Sequence, residues 1–315
     1  AYASARVVCW GLRGVHARHL LSRSLDSQHA QQNFPIYLQH LEPLLNDADP
    51  TVRKHTPVIL GALGAAQQPE LRGFFAWLSD AAQRASSAPI DGATCSNIWG
   101  LLLLSAHECL QQLIHERVVE VAAPALPGLF GCLRWMLEHM SDASLLQQLL
   151  PLLSACSQPQ LAPALAPHFA ELVDQLLGWA LDASSPQSVA TEVNSCLMSV
   201  RSLWAANEAL AVSIAQHLVD DLESLPEEPP PMLSHPEGAR SGGGLQPMQH
   251  APHLIRFVSC LNAIVGASGR GFASAQENAS LVPRCLAVLA HRVPAEVLAA
   301  SPPFTSASEL LAVGS

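Results

Sequence analysis

The sequence predicts an all-α protein, a superhelix of antiparallel helix pairs, and three observations point that way. Leu and Ala dominate a chain that is 49% hydrophobic but only 5% aromatic, a mix that favours helices packed on helices over sheets. No segment alternates apolar and polar residues with the period of two that a half-buried strand needs. Residues 36–65 read as two helices joined by a tight turn, and a helical solenoid is what results when such pairs recur every ~35–45 residues.

The stretch 36–65, IYLQHLEPLLNDADPTVRKHTPVILGALGA, is the clearest unit. Leu38, Leu41, Leu44 and Leu45 fall on one face at helical spacing. Asn46-Asp47-Ala48-Asp49-Pro50 then stops one helix and starts the next. Asp49 suits an N-cap, and Pro50 suits the first turn, where a missing N–H costs nothing. The second helix carries Val52, Val58, Ile59 and Leu63, with Gly61 and Gly64 read as closing it. The spacing L-x-P-L-L-x-D-x-D-P-x-V-R resembles the helix–turn–helix unit of HEAT repeats, with Asp47, Pro50, Val52 and Arg53 as the repeat positions. The resemblance implies that Asp47 and Arg53 pair with neighbouring units.

Elsewhere the pattern stays helical. Residues 1–25 carry Val7, Val8, Trp10, Leu12, Leu20 and Leu21, and a polar stretch from Asp26 to Asn33 is read as separating them from the repeat. Pro69 opens a helix through Phe74, Phe75, Trp77 and Leu78 to a loop near residue 88. Residues 94–117 form a long helix, apolar all round from Ile98 to Leu104, as expected between neighbours. Past Pro124 and Pro127 a helix runs to about Met140, and Ser141-Asp142 caps the next one, which is rich in Leu. Prolines 159, 163 and 167 mark a connection, Phe169 to Trp179 a helix, and residues 186–206 and 207–225 two more. Residues 226–250 are rich in Pro, Gly and Ser and read as a disordered loop. Helical patterning resumes from Pro252 to Val265 and near Glu277 to Ala290, before a fraying end from Val293. The expected organisation is thus a solenoid over 1–225, the loop at 226–250, and continued repeats over 251–315.

Charge and motifs narrow the function. The net charge is −10 and Lys54 is the sole lysine, so no clustered cationic surface for nucleic acid is expected. The same lysine sits in a repeat helix, which removes a Walker loop and a kinase β3 lysine, and no H-R-D or D-F-G occurs. Gly266-Ala-Ser-Gly-Arg-Gly271 follows a helix and lacks the strand that a phosphate loop needs. His16 with His19 and His250 with His253 have helical spacing but no H-E-x-x-H pattern or cysteine beside them. The eight cysteines form no C-x-x-C pair and read as reduced core residues, which places the chain in the cytoplasm, with the nucleus as a second compartment. The six tryptophans lie at helix-face positions and read as packing. No apolar run is long enough for a membrane span, and no cofactor or metal is expected. With no initiator methionine, the chain is expected to be a piece of something larger.

Phe169-Ala-Glu-Leu-Val-Asp-Gln-Leu-Leu-Gly-Trp179 is similar to a segment in the N-terminal helical region of the nonsense-mediated mRNA decay kinases, members of the phosphatidylinositol-3-kinase-related kinases. Its specific core is Val173, Asp174, Leu176, Leu177, Gly178 and Trp179. Leu203-Trp204, Asp220-Asp221, Glu227-Glu228, the prolines 229–231 and Leu254 to Val258 follow in the same order, so the resemblance covers residues 168–272. It implies a non-catalytic scaffold solenoid of a large Ser/Thr kinase that phosphorylates the decay RNA helicase. ATP and a divalent metal would belong to a kinase domain outside these residues, and the partners would be accessory subunits. The residues alone equally suit a free-standing HEAT adaptor in transport or trafficking, or a helical enzyme whose site has no spacing signature.

Overall fold

The first described helix, α1 (Ser27–Leu41), begins inside the polar stretch that the pattern reads as a separator. Gln, Ala and His are adequate helix formers, and a polar run with no Gly extends a helix readily. α1 tolerates Pro35 within it and passes into a 3-10 turn, Glu42–Asn46, that buries Leu44 and Leu45. The computed structural model describes residues 27–66, 71–117, 123–139, 144–182, 184–224 and 251–268, with 281, 283, 284 and 287. The expected helix over 1–25, the Ser141-Asp142 cap, the 226–250 loop and the end from Val293 lie outside these residues. Of the helix expected from Glu277 to Ala290, the four isolated positions are described and helical.

The remaining long helices are α2 (Pro50–Ala65), α3 (Leu71–Ser87), α4 (Gly92–His115), α5 (Leu126–His139), α6 (Ser144–Cys156), α7 (Phe169–Leu181), α8 (Gln187–Ser199), α9 (Glu208–Ser224) and α10 (Ala251–Ser268). Single-turn pieces at Ala162–Leu165 and Arg201–Ala205 join them. The helix expected over 186–206 is interrupted at Val200, whose φ of −100° and ψ of 40° leave the helical region. All described elements are helical, so the chain is all-α among these residues.

Two rows organise the packing. α2 packs on α4, α4 on α6, α6 on α8 and α8 on α10. In the second row α3 packs on α5 and α5 on α7, while α10 touches α7, α8 and α9. One continuous apolar core runs between the rows, from Phe34 to Leu281. Its largest fully buried side chain is Trp204, set edge-on to Phe169 at 4.7 Å, with its indole N–H donating to the Leu197 carbonyl at 2.9 Å. Trp99 does the same with the Ala82 carbonyl, at 3.0 Å. Each buried indole thus leaves no unpaired donor, the condition under which Trp burial stabilises.

Gly61 and Gly64 do not close α2; they lie within it and let neighbours approach. A Cβ on Gly61 would stand 2.6 Å from Glu108 Cβ and 2.8 Å from the Ser105 carbonyl oxygen of α4. One on Gly64 would enter the Phe74 ring at 2.6 Å. The missing methyl is what brings α2 and α4 into contact.

Candidate functional site

The turn between the 3-10 segment and α2 is built as its residues dictate. Asp49 is the N-cap of α2, its carboxylate accepting from Thr51 N at 2.8 Å, with Pro50 in the first turn. Asp47, 4% exposed, accepts from Asp49 N at 2.9 Å through Oδ1, an Asx turn that fixes the chain reversal. Arg53, in the first turn of α2, donates from Nη1 to the Asp47 carbonyl and, at 3.1 Å, to the Ala48 carbonyl. Val52 is fully buried beneath. Asp47, Pro50, Val52 and Arg53 thus gather at one turn, and the Arg53 bonds to Asp47 and Ala48 lie within the unit, where the HEAT resemblance implies pairing with a neighbouring one.

The family-like segment makes up most of α7 and divides by face. Val173, Leu176 and Leu177 are buried, Trp179 is half-buried against the core, and Asp174 and Gly178 are exposed. A Cβ on Gly178 would meet nothing within 4 Å. The end of α7 is a second Asx turn: Asp182 Oδ1 accepts from Ser184 N at 2.9 Å, and Ser184 Oγ donates to the same carboxylate. The Ser184 hydroxyl and amide hold the Asp182 carboxyl below the usual carboxylate range.

Arg256 of α10 meets this turn. Only 4% exposed, it donates to the carbonyls of Asp182 and Ser185 and, at 3.5 Å, of Ala180. Main-chain carbonyls at a helix C-terminus carry partial negative charge, so the guanidinium there is both solvated and attracted. The sequence reading passed over Arg256. Its signal was position: Arg256, Cys260, Ala263 and Ala267 share the buried stripe of α10, and a charge at core spacing needs a partner.

A surface groove of about 400 Å³ opens between the 3-10 turn, α3 and α4, floored by Leu45, Ala81, Ala85 and Ile98. On its rim Glu42 accepts from Arg84 Nε at 3.0 Å and Nη2 at 2.8 Å, and from Trp77 Nε1 at 2.9 Å. The hydrogen bond to Glu42 raises the Arg84 guanidinium above its ordinary value. Trp77 is thus half core, half polar anchor.

The described cysteine thiols are held neutral by their surroundings. Burial pushes the thiols of Cys132, Cys156, Cys196 and Cys260 up to about 12 and raises those of Cys109 and the half-buried Cys95, so none of these described thiols is activated as a thiolate at neutral pH. Cys9 and Cys285 lie outside the described residues, as do Trp10, His16, His19 and His250. Among the described residues no three His, Cys, Asp or Glu side chains gather as a metal site, and no helix is long and apolar enough to cross a membrane.

Among the described residues, fold and surface together define an all-α chain in which polar contacts fasten turns and helix ends. Over 267 residues, 82% of its length, the chain is 23% identical to the serine/threonine-protein kinase SMG1 of Danio rerio, and it spans 7% of that protein. This supports a distant relation to that kinase. No family model matches the chain, and no solved structure matches it.

Proposed function

We propose that this chain is a non-catalytic scaffold segment of a large Ser/Thr kinase of the nonsense-mediated mRNA decay type, a HEAT-like solenoid from the N-terminal helical region that docks accessory subunits in the cytoplasm. The observation that carries the reading is the similarity to SMG1 along 82% of the chain. Support also comes from the two stacked rows, because repeats that pack on their neighbours leave long ridges free for partners. Asp47, Pro50, Val52 and Arg53 then serve as one repeat turn, and the α7 segment Val173 to Trp179 serves the core with its buried face while Asp174 and Gly178 face outward. The segment itself has no turnover and binds no ATP or nucleic acid.

The test is affinity capture from cell extract with the 315-residue chain as bait. Recovery of decay-kinase accessory subunits is the expected result. Recovery of transport or trafficking factors alone overturns it in favour of a free-standing adaptor.

A further inference from the structure

Among the described residues a hydroxyl precedes proline twice, at Thr56-Pro57 and at Ser185-Pro186. Thr56 is fully buried inside α2, its Oγ1 donating to the Val52 carbonyl at 2.7 Å. Ser185 instead stands in the turn between α7 and α8, partly exposed and outside any helix, followed by Pro186 in the extended region (φ −59°, ψ 149°). An acceptor hydroxyl must leave the protein surface to enter another enzyme's cleft, and an exposed turn allows this where a packed helix does not.

We propose that Ser185 is a phosphorylation site for a proline-directed protein kinase acting in trans, and that the phosphate tightens the grip of α10 on the α7–α8 turn. Ser185 Oγ attacks the γ-phosphorus of ATP, and the bond from that phosphorus to the β-phosphate oxygen breaks. ADP departs, and the hydroxyl proton passes to the attacking kinase's catalytic carboxylate. The product carries a charge of about −1.5 to −2 at neutral pH.

Two features of the turn favour that charge and one opposes it. Arg256 Nη2 already donates to the carbonyl of Ser185 itself, so its guanidinium lies within reach of a phosphate on the same residue. α8 begins two residues on, at Gln187, and its N-cap Pro186 supplies no side-chain acceptor, so the positive end of the helix is open to an anion. Against these stands Asp182, whose Oδ2 lies 3.2 Å from Ser185 Oγ. That carboxylate is exposed and screened, and its repulsion turns the phosphate toward Arg256 and α8. The modified turn then holds Arg256 by a phosphate as well as by carbonyls, and α10 is held with it. The inference stands apart from the scaffold reading, since it depends only on this turn and on α10.

The experiment treats the chain with a purified cyclin-dependent-class kinase and ATP, then maps phosphate by mass spectrometry and amide exchange across residues 257–268. Phosphate at Ser185, absent from Ser185→Ala, with exchange in α10 slowed about fivefold, is the expected result. Failure to modify Ser185 overturns the site. Modification with unchanged or faster exchange in α10 overturns the tightening.

Discussion

Two turns in this molecule use the same device with the donor in different places. Asp47 and Asp182 each fold the chain back through an Asx bond to the amide two residues on, and a proline follows each turn. Each turn then has its carbonyls collected by one arginine. At the first turn the arginine is Arg53, six residues beyond Asp47. At the second it is Arg256, 74 residues beyond Asp182, on a helix that packs against both α7 and α8. A local donor secures a turn, whereas a remote one ties a distant helix to it. The first is a matter of secondary structure; the second adds a polar tertiary tie to a helix that the apolar core also holds.

If that distinction holds, Arg256→Ala is the most damaging change at either turn. It leaves part-buried carbonyls without their donor and removes the polar tie to α10, at a cost of about 3 kcal/mol. Urea unfolding measures this, and amide exchange should show α10 losing protection before α2 does. Equal loss in both helices would erase the contrast.

Gly61→Ala tests the close approach of α2 to α4. The new methyl meets the backbone of α4, which cannot swing aside, so a loss of about 2 kcal/mol is expected from thermal unfolding.

At the first turn itself, Arg53→Ala and Asp47→Ala should each cost about 1 kcal/mol. Removing the Asx bond also displaces the carbonyl that Arg53 reaches, so the double variant should lose less than the sum of the two. Strict additivity would show that the two residues do not share an interaction.

The smallest effect has the opposite sign. Gly178→Ala adds a methyl into open space within α7, four residues before Asp182, and should stabilise by about 0.5–1 kcal/mol. A melting temperature that falls would mean that something approaches that face.

Acid gives a further test of the second turn. The Asp182 carboxyl is held below its unfolded value of about 3.9. The stability it contributes is therefore present above that pH and is lost as pH falls through the lower folded value. Asp182→Asn should flatten the stability–pH curve of α10 protection below about pH 4, the range in which the unfolded carboxyl titrates.

The sequence disclosed what neighbouring residues decide. Asp49 and Pro50 specify where α2 starts, and Arg53 lies close enough to Asp47 for the turn to be read as one unit. The helical stretches from Phe74, Leu145 and Phe169 were legible because their apolar faces repeat at helical spacing, and the one through Ile98 because it is long and apolar all round. Distance along the chain hid the rest. No periodicity shows that Arg256 meets Asp182, because a Pro- and Gly-rich stretch separates them. Gly61 and Gly64 looked like helix ends because glycine weakens a helix; only the proximity of Ser105, Glu108 and Phe74 shows that the missing methyl is used for packing. The polar run from Ser27 to Asn33 looked like a break because it lacks an apolar stripe, yet its backbone is the first part of α1.

The row order of the helices has a mechanical side. The principal contacts of every long helix are with helices no more than three places away in the chain. Tension applied between α1 and α10 is therefore carried through successive interfaces in series, like load through the links of a chain. Each interface stretches by a fraction of the total extension, and the one with the lowest threshold yields first while the others hold. Pulled in this way, the molecule would give a force–extension trace of several small steps rather than a single rupture.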